Sequence, residues 1–193
     1  MCRKSILMPL SQMILKVEQE QGGLMRILGV DPGSRITGFG VIEIENGKLR
    51  YVTSGCIKIK DKALPARLRT IFEGMSEIIE NTGPDAMAIE EVFVSRNAHS
   101  ALILGQARGA AISAGVSKGL SVGEYTALQI KKSVVGYGQA DKAQVQHMVR
   151  TILVLDAVPQ EDAADALACA ICHGHTLEHN HRMSKQQGRG TQP

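Results

Sequence analysis

Residues 26–45 read RILGVDPGSRITGFGVIEIE. Arg26 to Asp31 is a short, mainly apolar run stopped by Pro32-Gly33, and Gly38 to Glu45 (GFGVIEIE) reads as a second strand, which gives two strands joined by a turn. Asn46-Gly47 follows at once. Both central residues of a type I′ turn need positive φ, and Asn-Gly is the dipeptide that supplies it, so Lys48 to Lys60 is expected to return as a third strand. The chain therefore opens as a three-stranded meander with an aspartate, Asp31, at the C-terminal end of its first strand.

Working outward, Ala63 to Glu80 places Leu64, Leu68, Ile71, Met75, Ile78 and Ile79 at helical spacing and stops at Asn81-Thr82-Gly83-Pro84. Ala86 to Val94 reads as a fourth strand, Ala98 to Lys118 as a long helix of small residues, and Leu120 to Val122 as a short strand. Helices are expected near 126–135 and 142–155, on either side of Gly136-Tyr137-Gly138, and Pro159 opens a last helix running to about His173. Three strands followed by alternating helices and strands indicate an α/β fold, a mixed sheet with helices on its faces. The tail after Gly174 has no apolar periodicity, so residues 176–193 are expected to be disordered, with the folded domain spanning 25–175.

Residues 1–24 begin with basic residues, but Pro9 and Gln12 interrupt the apolar run and no A-x-A cleavage site follows, which argues against a secretory signal. Gln21-Gly22-Gly23 back-translates to a bacterial ribosome-binding sequence just before the codon for Met25. Translation is therefore expected to start at Met25, with 1–24 a mis-assigned extension.

At 193 residues, 44% hydrophobic and 21% charged, the chain is large enough for its own core, and no apolar run approaches a membrane span. Four unevenly spaced cysteines do not form a disulfide framework, which points to a reducing cytoplasm. The net charge of +3 is unevenly spread: residues 96–150 hold seven Lys or Arg against two acids. A basic middle between acidic flanks suggests a surface for a polyanion beside an acidic site.

That acidic site can be named. Asp31 ends the first strand, Glu90 and Glu91 interrupt the apolar strand MAIEEVFV, and Asp162 and Asp165 fall one turn apart at the start of the last helix. Charges within an apolar strand are costly unless paired, and gathered carboxylates raise one another's pKa unless hard cations neutralise them. The pattern predicts divalent metal with oxygen ligands, and two ions ~3.5–4 Å apart can activate a water and stabilise the leaving oxygen of a phosphodiester. Both faces of the strand are apolar, so alternation does not choose between Glu90 and Glu91.

These segments resemble the RuvC family of bacterial Holliday-junction resolvases. The resemblance rests on Gly29-Val30-Asp31-Pro32-Gly33-Ser34 with Thr37-Gly38, on Ala88-Ile89-Glu90 with Val92-Phe93, and on Leu104-Gly105-Gln106-Ala107-Arg108-Gly109. It continues through Gln144-Val145-Gln146-His147-Met148-Val149-Arg150 and Asp162-Ala163-Ala164-Asp165-Ala166-Leu167-Ala168. It implies an RNase H-like fold, a homodimer, and Mg²⁺-dependent symmetric nicking of four-way DNA junctions, with two ions per site and Mn²⁺ able to substitute. It also implies a branch-migration complex of RuvA and RuvB as partner.

Position by position, Asp31, Glu90, Asp162 and Asp165 resemble the family's catalytic, metal-binding carboxylates, so the resemblance selects Glu90. Glu91 stands where relatives often carry Gln. Lys131 and Lys142 match lysines that approach the scissile DNA, and Phe93 matches an aromatic that stacks on an unpaired base; Arg96 and Arg108 complete the DNA-binding set. The small-residue helix 98–118 can pack against a second copy or against its own sheet.

Other classes are weaker. Cys169-Ala170-Ile171-Cys172-His173 fits C-x-x-C-H haem attachment, but that chemistry needs export, so no haem is expected. Asp162, Asp165, Cys169 and Cys172 share one helical stripe, which should face the sheet with the cysteines as buried hydrophobes. A zinc site from these cysteines with His175, His179 and His181 has irregular spacing. Gly136-Tyr137-Gly138 lacks the P-loop arrangement, and the short chain argues against an actin-like ATPase. A non-catalytic junction binder would not need the carboxylates.

Overall fold

The computed structural model describes residues 24–91 and 97–188. Its opening meander is β1 (Met25–Asp31), β2 (Ile36–Glu45) and β3 (Lys48–Lys58), and Asn46 and Gly47 turn between the last two at φ 52° and 76°. β2 starts at Ile36, two residues earlier than the Gly38 read from the sequence. The buried Thr37 hydroxyl donates to the Gly33 carbonyl at 2.9 Å, which tightens the turn and brings Ile36 into the sheet.

Next come α1 (Leu64–Thr82), β4 (Ala86–Glu90), α2 (Ala98–Ser117), β5 (Ser121–Tyr125), α3 (Ala127–Val135), α4 (Lys142–Ile152) and α5 (Glu161–Gly188). α1 ends on Gly83 at φ 56°, and α3 and α4 start with reciprocal capping boxes, Thr126 with Gln129 and Asp141 with Gln144. β5 runs on to Tyr125 because its parallel pairing with β4 continues to Glu90↔Tyr125.

The sheet order is β3-β2-β1-β4-β5, with β1–β2 and β2–β3 antiparallel and β1–β4 and β4–β5 parallel. Helices cover both faces, as the sequence indicated. Leu28, Val30, Val41, Met87 and Ile89 pack under α1 and α2, whereas Ile27, Ile42, Ala88 and Tyr125 pack under α3, α4 and α5. In α2, Ala107, Ala111, Ala114 and Gly115 turn inward, with Gly115 against Met87, while Leu102 is 67% exposed. Among the described residues no helix is long and apolar enough to cross a membrane.

The expected tail needs correction. Helix α5 does not stop near His173 but continues to Gly188. Packing replaces the missing apolar period over its next turns: Gly174 sits on Ile44 and Leu49, His175 Nδ1 bonds the Ser133 hydroxyl at 3.0 Å, and Leu177 joins the core. Glu178 pairs with Arg182 one turn on.

Candidate active site

Strand alternation decides which side chains reach the site. In β1, Leu28 and Val30 face α1 and α2, so Gly29 and Asp31 face α5. In β4, Met87 and Ile89 face α1 and α2, so Ala88 and Glu90 face α5. Val30 pairs with Ile89 in parallel register, which makes Asp31 and Glu90 the next residues on adjacent strands, pointing the same way. Glu91, by the same alternation, lies on the other side; it is exposed, and its N–H donates to the Tyr125 carbonyl at 2.8 Å.

Glycines let α5 lie directly on this face. A Cβ at Gly29 would stand 2.0 Å from the Ala166 carbonyl oxygen, and one at Gly38 would stand 2.0 Å from that of Asp162. Gly38 is the β2 partner of Asp31, so the first turn of α5 is seated beside the end of β1. Asp162 and Asp165 thereby reach the end of the sheet that carries Asp31 and Glu90.

The electrostatics follow. Burial, then the charges of Asp165, Glu90 and Asp162, push the Asp31 carboxyl from 3.8 up to about 7, with Lys142 acting the other way. Burial and the charge of Asp165 raise Glu90, while Lys142 and Lys131 oppose the rise; burial also raises Asp165, against Lys142. Asp31, Glu90 and Asp165 are thus held where burial and neighbouring acids disfavour their charge, which a cation would relieve. Among the described residues no three His, Cys, Asp or Glu side chains stand close enough together to hold a metal ion as they are placed. The donor set itself is all oxygen and anionic, which suits a hard divalent ion rather than a thiophilic one.

Lys142, at the first position of α4, reaches this site: its Nζ is paired with Glu161 and lies 3.6 Å from Asp165 Oδ2. Glu161 had no signal in the sequence, because it lies 19 residues from Lys142 and only the packing of α4 on α5 joins them. Lys131, on α3, is half-buried and close enough to act on Glu90. Arg108 is turned inward, donating from Nε to the Glu90 carbonyl at 2.9 Å and pairing with Glu124. Phe93 and Arg96 lie outside the described residues.

The competing motif dissolves into the core. Cys169 and Cys172 are 0% and 3% exposed on the inward stripe of α5, with burial raising both thiols, so neither lies at a surface where thioether attachment could occur. His173 is buried too, its Nδ1 2.7 Å from the Tyr125 hydroxyl, and burial lowers its pKa to about 4. The zinc reading therefore loses its cysteines; His175 and His179 line a separate cleft with Glu178 and Arg182.

Comparison with known proteins agrees with this geometry. The family model described as crossover junction endodeoxyribonuclease RuvC matches residues 27–173, a span that contains Asp31, Glu90, Asp162 and Asp165. A protein of that name from Azoarcus sp. is 63% identical over 150 residues, covering 78% of this chain and 82% of its own length. Another from Aromatoleum aromaticum is 60% identical over 150 residues, covering 78% and 81%. Among solved structures, Thermus thermophilus RuvC in complex with Holliday junction substrate superposes with a TM-score of 0.76 at 32% identity, covering 81% of this chain and 97% of that one. With a family model matching residues 27–173 and relatives 60–63% identical over 150 residues, the chain belongs to the RuvC family of crossover junction endodeoxyribonucleases.

Proposed function

We propose that this chain is a Holliday-junction resolvase, a metal-dependent endonuclease that nicks two like strands of a four-way DNA junction symmetrically during recombination and repair. The observation that supports this reading is the seating of the first turn of α5 on Gly38, the β2 partner of Asp31, within a chain of the RuvC family. Asp31, Glu90, Asp162 and Asp165 would hold the metal, with Mg²⁺ the expected ion, two per site, and Mn²⁺ able to replace it. Divalent ions held there would supply Lewis-acid activation of a water and of the departing 3′ oxygen, as expected for 5′-phosphate and 3′-hydroxyl ends.

The protein's own residues do the rest. Lys142, with its side chain 65% exposed, turns from its carboxylate partners toward the phosphate next to the scissile bond, and Lys131 adds positive charge on the Glu90 side. A homodimer sets two such sites at a fixed separation, and the exposed face of α2 around Leu102 is available for it. Phe93 and Arg96, three and six residues after Glu90 in the sequence, are the further DNA contacts this reading expects. The enzyme works in the cytoplasm with the branch-migration proteins RuvA and RuvB.

The test is cleavage of a mobile synthetic four-way junction against linear duplex of the same sequence, with Mg²⁺ and with chelator. Paired, ligatable nicks confined to the junction and dependent on metal are expected. Equal cutting of duplex, or cutting in chelator, would overturn the reading.

A further inference from the structure

Arg108 lies in the basic stretch that charge alone would assign to DNA, yet its side chain is only 18% exposed and its donors are used inside the fold. Nε donates to the Glu90 carbonyl at 2.9 Å, and the terminal nitrogen is paired with Glu124 of β5. β4 ends at this point. The Glu91 N–H makes a bond to Tyr125, and Arg108 reaches from α2 to supply the donor for the carbonyl one residue before it. A guanidinium is a rigid planar fork, so one group ties α2, β4 and β5 together.

One observation separates this arrangement from a phosphate contact: Arg108 lines a shallow cavity of about 520 Å³ together with Glu91 and Glu124, and two carboxylates there repel a phosphate. The hydrogen bond from Arg108 to Glu90 is made to the backbone carbonyl, not to the carboxylate.

We propose that Arg108 is a positioning residue for strand cleavage: braced on Glu124, it holds the Glu90 carbonyl, fixes the end of β4 and so aims the Glu90 carboxylate into the metal site. This rests on the resolvase reading above. Lys in its place has a single donor centre on a flexible stem and restores the brace only in part.

The experiment compares Arg108→Gln, Arg108→Lys and Glu124→Gln in the full chain. It reads single-turnover junction cleavage at saturating enzyme, the Mg²⁺ concentration for half-maximal rate, junction affinity across a salt series, and amide hydrogen exchange at Glu90 and Glu91. Arg108→Gln is expected to slow cleavage roughly 10- to 100-fold, as small misplacements of catalytic groups do. It should also raise the Mg²⁺ requirement and speed exchange at Glu91, with affinity and salt slope unchanged. Arg108→Lys should recover part of the rate, and Glu124→Gln should lower it in the same direction although it removes an acid.

The proposal is overturned if Arg108→Gln weakens junction binding and reduces the salt slope by about one at an unchanged saturated rate, the signature of a phosphate contact. It is equally overturned if Glu124→Gln tightens binding and leaves the rate unchanged. If Arg108→Gln does not fold, Glu124→Gln, which removes a half-exposed partner, decides by the same readouts. Absence of cleavage by the unaltered chain would instead remove the resolvase reading, and the exchange rates at Glu91 would still test the brace.

Discussion

The carbonyl oxygen of Asp162 lies over Gly38, 2.0 Å from where a Cβ on Gly38 would stand. The obstacle is helix backbone, which does not rotate away, so Gly38→Ala must lift the first turn of α5 off the sheet and carry Asp162 and Asp165 with it. Cleavage should fall at least ~100-fold, because catalysis of this kind depends on sub-ångström placement. The stability cost should be about 1–3 kcal/mol, the range for overpacking. Single-turnover rates beside urea denaturation check both numbers.

Asp31 gives a pH dependence with a definite sign. Its folded pKa, about 7, lies above the ordinary 3.8, so between these values the folded state holds the proton more tightly than the unfolded chain. Stability of the metal-free protein therefore falls as pH rises through that window and levels off above it. Asp31→Asn removes the effect. In chelator at pH 8 this variant should be more stable than the unaltered protein, by on the order of 2–4 kcal/mol, with the difference shrinking toward pH 4. Thermal midpoints at a series of pH values measure it.

Much of this was legible in the sequence. Asp-Pro-Gly and Asn-Gly fixed the meander because each short run allows few backbone conformations, and Asp162-x-x-Asp165 fixed one face of a helix. The choice of Glu90 over Glu91 was not legible from alternation, because both strand faces are covered by helices and carry apolar residues. Only the register Val30↔Ile89 and the position of α5 separate the two. Arg108 was named only as a basic residue for DNA, and Glu161 was not named at all, for the same kind of reason: their partners, Glu90 and Lys142, lie 18 and 19 residues away and meet them through tertiary packing alone. The length of α5 was missed because its outer turns are held by His175, Leu177 and Glu178 against other elements, not by an apolar stripe.

That outer half of α5 is therefore part of the fold only up to a point. Removing residues 176–193 takes away Leu177, partly buried against the core, and should cost about 1–2 kcal/mol, below the scale for a fully buried aliphatic side chain. Removing 183–193 should be nearly neutral, since Met183 and Ser184 are exposed. Urea midpoints of the two truncated chains distinguish the cases.

Lys142 should behave as a phosphate contact. Lys142→Ala is expected to weaken junction binding, lower the slope of log affinity against log salt by about one, and reduce cleavage. An unchanged slope would assign Lys142 to its carboxylate partners alone.

The most direct measurement is junction binding and cleavage side by side for Asp31→Asn and Glu90→Gln, each with Mg²⁺ at saturating enzyme. Both substitutions keep the side chain's size and remove one negative oxygen donor, so both should bind the four-way junction with near-unaltered affinity and cut it at least ~1000-fold more slowly, about 4 kcal/mol of lost barrier reduction. Metal-dependent nicking retained at the unaltered rate by either variant would contradict the carboxylate site described for this fold.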